Sequence, residues 1–338
     1  MSTYRMYLET DLNRVFTKSL GPIAVAELDV VLSGVHSAPG SEIEHVEDGR
    51  TSYLTFSFDG DRDQLVESLS MLSATAAVFV EHTPTSLEPL ALVNSLRFGT
   101  EVVTTQRYKG KTSERLTRLM LNLARAGDAS KAVKARSLID PMCGRGTTLN
   151  WALLYGIPAV GLDIDDNALD DYATFLQQWA QGNRYPHRIE RYRKPSDPRH
   201  FDFTVARTRD ELEAKAKPDI RTFNVPADIE DIGLSKASMI VSDLPYGVQH
   251  RARTGGQKAI SSVADLVESV SQRWPEWIRT GGSAALSWNV KTLSKLDLIA
   301  ILETAGFVES TNRGFEHQVD RTILRDVVAA SRVANADS

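Results

Sequence analysis

Apolar and polar positions change their period several times along the chain, and those changes mark its organisation. Residues 4–9 and 51–57 alternate between apolar and polar side chains, with aromatic and β-branched members, as strands do. Between them Pro22–Leu32 carries apolar residues at helical spacing, with Gly21 and Pro22 at its start. Asp61–Leu72 repeats the helical period, and Ala74–Val80 is a short apolar run expected to form a buried strand. This order is compatible with a small ferredoxin-like α+β domain over residues 1–83 if one further strand lies near Ile43–Val46. Residues 84–107 contain Pro84 and Pro89 and no sustained periodic run, so a connector is expected there.

A helix is predicted over Ser113–Ala126, where leucines and Met120 recur at helical spacing; Thr112 or Ser113 can cap it and Gly127 ends it. From Ala135 the pattern becomes α/β alternation. Strands are predicted at Ser137–Ile139, Ala159–Ile164, Thr222–Val225, Ser238–Ser242 and Ser283–Ser287, and helices at Thr147–Tyr155, Asn167–Gln181, Ser262–Trp274 and Lys291–Ala305. Such alternation predicts a mostly parallel sheet covered on both faces, in a domain spanning 108–330 with 331–338 as a tail.

Composition narrows the class. The 338 residues are 42% hydrophobic and 25% charged, as in ordinary globular proteins. Cys143 is the single cysteine, which excludes a disulfide framework and a cysteine-based zinc site. The first residues do not resemble a signal peptide, and no stretch reaches the roughly 18 apolar residues of a membrane span, so a cytoplasmic protein with no membrane association is the default expectation. The net charge of −5 is unevenly spread: residues 1–85 hold 5 Lys+Arg against 13 Asp+Glu, whereas the remainder holds 34 against 31. A polyanionic partner is therefore expected beyond the N-terminal part.

Two motifs carry candidate chemistry. The first, Asp140-Pro-Met-Cys-Gly-Arg-Gly-Thr-Thr148, links a predicted strand to a predicted helix, where open α/β sheets bind ligands. Gly144 and Gly146 let the backbone turn sharply, and the free amides of the following helix attract negative charge. Asp163, 19 residues beyond Gly144 at the end of the second strand, is placed to accept ribose hydroxyls. Asp228, just past the third strand, can accept from an adenine amine, and Asp140 can hold loop amides or a cofactor ammonium. Pro141, Thr147, Ile164 and Ile229 complete the expected cofactor set. A dinucleotide fingerprint would need a third glycine where Leu149 stands, so the layout favours S-adenosylmethionine (SAM). Cys143 lacks a histidine nearby in sequence and is expected to pack.

The second motif, Asp243-Leu-Pro-Tyr-Gly247, follows the apolar run Met239-Ile-Val241. An exocyclic aromatic amine is a poor nucleophile because its lone pair is delocalised into the ring. Asp243 and a backbone carbonyl at Leu244 or Pro245 can draw on its hydrogens, and Tyr246 can stack on the base. The displacement requires alignment and a preorganised field, and no metal. His317 beside a predicted strand is expected to be structural, and Trp274 and Trp277 to lie in the core.

Together the two motifs resemble the amino-methyltransferase branch of class I SAM-dependent enzymes, and within it the THUMP-associated tRNA guanosine-N2 methyltransferases. The resemblance runs from Tyr108 to Val328 and includes Tyr108-Lys-Gly-Lys-Thr-Ser113, which resembles the segment that helps close the family's cofactor pocket. It implies a seven-stranded Rossmann-like class I methyltransferase sheet with a reversed last strand near Arg321–Val328. It also implies SAM contacts at Asp140, Gly144, Gly146, Asp163 and Asp228, target-base contacts at Asp243, Pro245 and Tyr246, and tRNA as the nucleic-acid partner.

Arg184–Phe201 is the most basic stretch, with six Lys/Arg against two acids interleaved with Tyr185, Tyr192 and Phe201. Cations for phosphates and aromatic faces for bases suit single-stranded RNA, which nominates Arg188, Arg191 and Arg193 for substrate binding; a solvated insertion or edge strand is the alternative. His250, Arg251 and Arg253, directly after the second motif, are expected on a substrate loop. DNA adenine or cytosine amino-methylation, and an inactive SAM-fold RNA-binding subunit, remain open alternatives.

Overall fold

The computed structural model describes residues 2–9, 14–36, 42–49, 51–106, 108, 111–129, 136–193, 198–226, 233–245, 262–319 and 321–333. The first seven elements are β1 (Ser2–Leu8), α1 (Arg14–His36), β2 (Glu44–Asp48), β3 (Thr51–Phe58), α2 (Arg62–Met71), β4 (Thr75–Thr83) and β5 (Ser86–Leu90). Their strands form one antiparallel sheet in the order β2-β3-β1-β4-β5, of which the first four have ferredoxin-like connectivity. Strand alternation turns Tyr4, Met6, Leu54 and Phe56 onto one face, where they pack with Leu28 and Leu32 of α1 and Leu65 and Leu69 of α2.

β2 is the strand expected near Ile43–Val46. The connector expected over 84–107 is more structured than its lack of period suggests. β5 pairs with β4, Pro89 lying opposite Phe79, and the short helix α3 (Glu101–Thr104) follows. Proline is tolerated there because β5 is an edge strand whose outer side makes no ladder bonds.

The remaining elements are α4 (Glu114–Gly127), β6 (Leu138–Asp140), α5 (Thr147–Leu154), β7 (Ala159–Asp163), α6 (Asp166–Gly182), β8 (His187–Tyr192), β9 (His200–Val205), α7 (Arg209–Ala214), β10 (Ile220–Asn224), β11 (Ala237–Asp243), α8 (Val263–Ser271), α9 (Trp274–Trp277), β12 (Ile278–Asn289), α10 (Lys295–Thr304), β13 (Phe307–Glu309), β14 (His317–Gln318) and β15 (Leu324–Arg332). They build a second sheet in the order β13-β15-β12-β11-β6-β7-β10-β9-β8, with β14 against β15. Its five central strands, β12 to β10, are parallel, and β15 runs antiparallel beside β12. This is a Rossmann-like α/β sheet with a reversed last strand. It has ten strands rather than seven: the hairpin β8–β9 extends the edge at β10, and β14 adds a short pairing.

Both faces of this sheet are buried, and consecutive residues serve opposite faces. Leu138, Met239, Val241 and Ala285 pack toward α4, α5 and α6, whereas Ile139, Ile240, Ala284 and Leu286 pack toward α8 and α10. Trp274 and Trp288 are fully buried on the second face, Trp274 meeting Phe307 edge-on at 5.8 Å.

The small sheet is joined to the large one through α1 and α4. The buried Glu27 carboxylate of α1 accepts from the Ser73 amide (3.0 Å) and hydroxyl (2.5 Å) and from the Asn122 side-chain amide of α4 (2.7 Å). Arg118 of α4 donates to the Leu72 carbonyl at 2.7 Å. Gly34 lets the helices approach: a Cβ there would lie 2.6 Å from the Ala126 carbonyl oxygen.

Candidate active site

β6 stands where the strand order reverses, with β7 on one side and β11 on the other. Ligand crevices of open α/β sheets form at such a point, outside the carboxyl ends of the strands. Because β6 and β11 are parallel neighbours, with Leu138 opposite Met239 and Ile139 opposite Ile240, the chain leaves both strands at the same end. Motifs about a hundred residues apart in sequence thus meet. Asp140 closes β6, and its Oδ1 accepts from the Ser242 hydroxyl of β11 (2.7 Å) and from the Met142 amide of the turn (3.1 Å). Burial pushes the Asp140 carboxyl up to about 7, against the opposing effect of these hydrogen bonds.

The turn is shaped by its glycines. Gly144 and Gly146 have φ of 51° and 79°, in the left-handed region. Gly146 precedes α5, and a Cβ on it would lie 2.2 Å from the Tyr172 ring; one on Gly144 would meet nothing within 4 Å. The Gly144 amide donates to Asp163 Oδ2 at 2.7 Å, and the Asp165 amide to Asp163 Oδ1 at 2.9 Å. Burial also raises the Asp163 carboxyl above the usual range.

A cleft of about 210 Å³ lies between the turn and the end of β11, lined by Asp140, Met142, Cys143, Gly144, Arg145, Thr147, Thr148, Asp243, Leu244 and Pro245. Tyr108 and Thr112 close it from the segment ahead of α4. The Tyr108 phenol and the Thr147 hydroxyl are 2.9 Å apart, and the Arg145 guanidinium lies 5.3 Å from the Tyr108 ring centroid. The Thr112 hydroxyl donates to Asp243 Oδ2 at 2.7 Å. Thr112 is therefore not the helix cap; Ser113 holds that position without a side-chain cap bond. Behind Asp243, the buried Arg325 of β15 places its guanidinium 3.6 Å from the same oxygen.

Of the residues nominated from sequence, Asp140, Gly144, Thr147, Asp243 and Pro245 line one cleft. Asp163 sits one hydrogen bond behind Gly144, Ile164 follows it as an exposed apolar side chain, and Gly146 is spent on the turn. Pro141 lies in the turn but outside the cleft wall. Asp228, Ile229, Tyr246, His250, Arg251 and Arg253 lie outside the described residues. Cys143 is buried, and burial raises its thiol well above the usual value, in keeping with a packing role. His317 is buried, hydrogen-bonded through Nδ1 to the Phe315 carbonyl at 2.9 Å and held low by burial, which keeps it neutral and structural.

Arg188 and Arg191 lie on the edge strand β8 and Arg193 just beyond it, away from the cleft. Arg191 and Arg193 reach Asp170 of α6 at 3.3 and 2.6 Å, Arg199 reaches Asp166 at 3.0 Å, and Arg188 lies 3.6 Å from Glu190. Four described arginines of the stretch that is basic in sequence thus face carboxylates. Arg325 was not foreseen as a site residue, and Thr112 was foreseen only as part of the 108–113 segment or as a helix cap, not as a partner of Asp243. The signal for Arg325 was the Arg325-Asp326 pair at the head of the apolar run Val327–Ala330.

The reversed-strand α/β sheet with a cleft at its switch point is the Rossmann-like architecture of the class I methyltransferase type. Residues 103–286, more than half of the chain, match the UPF0020 family (RMKL-like, methyltransferase domain), and the chain belongs to that family. The tRNA (guanine(10)-N2)-dimethyltransferase of Methanothermobacter thermautotrophicus is 27% identical over 172 residues, covering 50% of this chain and 37% of its own length. The match therefore spans little more than a third of that relative. Among solved structures, a methyltransferase from Pyrococcus furiosus matches 70% of this chain and 93% of its own at 10% identity and a TM-score of 0.40. The SAM-bound magnesium protoporphyrin IX methyltransferase from Synechocystis PCC 6803 matches 69% and 88% at 12% identity and a TM-score of 0.39. Among the described residues no helix is long and apolar enough to cross a membrane, and no cluster of His, Cys, Asp or Glu is suited to a metal ion.

Proposed function

We propose that this protein transfers a methyl group from SAM to the exocyclic amine of a nucleobase, with guanine-N2 of tRNA as the leading target. The observation that carries this reading is the convergence of the glycine turn and Asp243–Pro245 on one cleft. The name of the archaeal relative supports the choice of tRNA and of the N2 atom.

The residues present fit SAM. The open side of Gly144, where a Cβ would meet no atom within 4 Å, leaves room for a ligand against the backbone, and the start of α5 offers amides to a carboxylate. Asp163 has a backbone donor on each oxygen and keeps lone pairs for ribose hydroxyls. Asp140, when ionised, balances an ammonium. When bound, SAM supplies an electrophilic methyl on its sulfonium.

Asp243 would accept a hydrogen from the target amine while a carbonyl at Leu244 or Pro245 accepts the second, which draws the nitrogen toward the pyramidal form. Tyr246 would stack on the base. A base in a duplex must be extruded first, so a loop or single-stranded target is favoured. The amine proton is released to water.

The test is transfer of labelled methyl from SAM to total tRNA from a strain lacking the gene, followed by nucleoside analysis. Label in N2-methylguanosine is the expected result. No label in tRNA but label when DNA or ribosomal RNA is supplied in the same assay would move the target, and no label in any of the three would remove the reading. Asp243→Ala is expected to abolish transfer while leaving SAM affinity within about twofold, because the lost contact belongs to the acceptor. Calorimetry with SAM and single-turnover rates check it together.

A further inference from the structure

Asp243 reaches the cleft from a strand end, and the χ2 torsion of an aspartate is broad, so the carboxylate needs outside contacts to hold one orientation. A hydroxyl donor and a guanidinium charge converge on its Oδ2. Thr112 comes from the segment ahead of α4, its hydroxyl at 2.7 Å, and Arg325 comes from β15 at 3.6 Å. We propose that Arg325 is a positioning residue which, with Thr112, clamps Oδ2 of Asp243 and thereby fixes the orientation of the carboxylate toward the target amine. This rests on the reading of Asp243 as the amine acceptor.

The surroundings of Arg325 favour this role over a stabilising one. It sits on the antiparallel strand opposite Asn289 of β12 and His317 of β14, and it is 6% exposed. Its neighbour Asp326 points to the other face, where Oδ1 accepts from the Phe315 and Val327 amides at 2.8 Å each. His317 engages the Phe315 carbonyl. Arg325 forms an ion pair with Asp243. Burial lowers the Arg325 guanidinium, and the Asp243 charge opposes that shift. Buried ion pairs contribute little net stability compared with apolar residues of similar volume. Orientation of a carboxylate at the cleft wall gives the pair a reason to exist.

The test is a double-mutant cycle on the full chain with Arg325→Gln, Asp243→Asn and the combination, read twice. In chemical unfolding the two substitutions should be non-additive, because each removes the same contact. In methyl transfer to tRNA, Arg325→Gln should lower kcat by up to about 100-fold through misaiming of the acceptor, with SAM affinity and KM for RNA within about twofold. Arg325→Lys should restore most of the rate, and Thr112→Val should lower kcat in the same manner. Should Arg325→Gln fail to fold, Arg325→Lys and Thr112→Val carry the kinetic arm. Additive unfolding energies, or an unchanged kcat in Arg325→Gln and Thr112→Val, would overturn the clamp. A wild-type protein that methylates no nucleic acid would overturn the function proposed above, and the unfolding cycle would still decide the clamp.

Discussion

Asp140 occupies a position where burial and hydrogen bonding oppose each other. Its carboxyl is almost fully buried and pushed up to about 7 by burial, yet Ser242 and Met142 both donate to it, which favours the ionised form. The folded value lies above the unfolded one, so its contribution to the stability of the ligand-free protein is complete at acid pH and is lost as pH rises through about 7. An ammonium in the cleft reverses the preference. SAM is therefore expected to bind more tightly as pH rises from 6 to 8, about the Asp140 value, and Asp140→Asn should flatten that dependence. Calorimetric titration across the range checks both. Asp140, Gly144 and Asp243 were legible in sequence because motif spacing encodes them. Arg325 was not, because its relation to Asp243 exists only through the pairing of β11, β12 and β15.

The turn from β6 into α5 depends on two glycines for different reasons. Gly146 combines a left-handed φ of 79° with the Tyr172 ring, whose hydroxyl donates to Asn150 at 2.8 Å while Asn150 donates to the Val102 carbonyl at 3.1 Å. A methyl at Gly146 pushes on that ring. Gly146→Ala is expected to destabilise the protein by about 1–3 kcal/mol through strain and overpacking, and to weaken SAM binding. Urea unfolding and SAM titration measure the two effects. α5 itself is buried on every side, so its limits were readable from Gly146 and Gly156 rather than from an apolar stripe. β5 was missed for the opposite reason: five residues containing a proline carry no period, and they form a strand because β4 offers an edge. The hairpin β8–β9 was read by its charges and aromatics, with an edge strand as the alternative, which β8 is. The partners of those charges, Asp166 and Asp170, lie on α6, where a local count along the chain does not see them.

In the molecule as a whole, α1 and α4 couple the small sheet to the cleft. The Glu27 carboxyl, raised by burial, holds the Ser73 amide and Asn122 at that junction, and α4 begins one residue after Ser113, next to Thr112. Glu27→Ala leaves those donors unsatisfied and is expected to cost about 1–3 kcal/mol, read as a lower denaturation midpoint. Replacing Arg188, Arg191 and Arg193 with Gln is expected to weaken tRNA binding and flatten its salt dependence. The compensation by Asp170 and Glu190 makes the change smaller than three free cations would give, and an unchanged slope would remove the hairpin from the RNA interface.

Periodicity and turn residues were sufficient for the α/β class, because burial on one or two faces is written directly into local patterning, whereas the ferredoxin-like order of the small sheet was conditional on β2. Spacing within the two motifs was sufficient for the candidate chemistry, because a glycine turn and a strand-end carboxylate are local features. The neighbours of Asp243, the charge balance of the hairpin and the buried carboxylate between α1 and α4 were decided only when strands paired and helices docked. Those contacts join residues from tens to somewhat over a hundred positions apart. Their energies depend on distance and burial, which no reading along the chain contains.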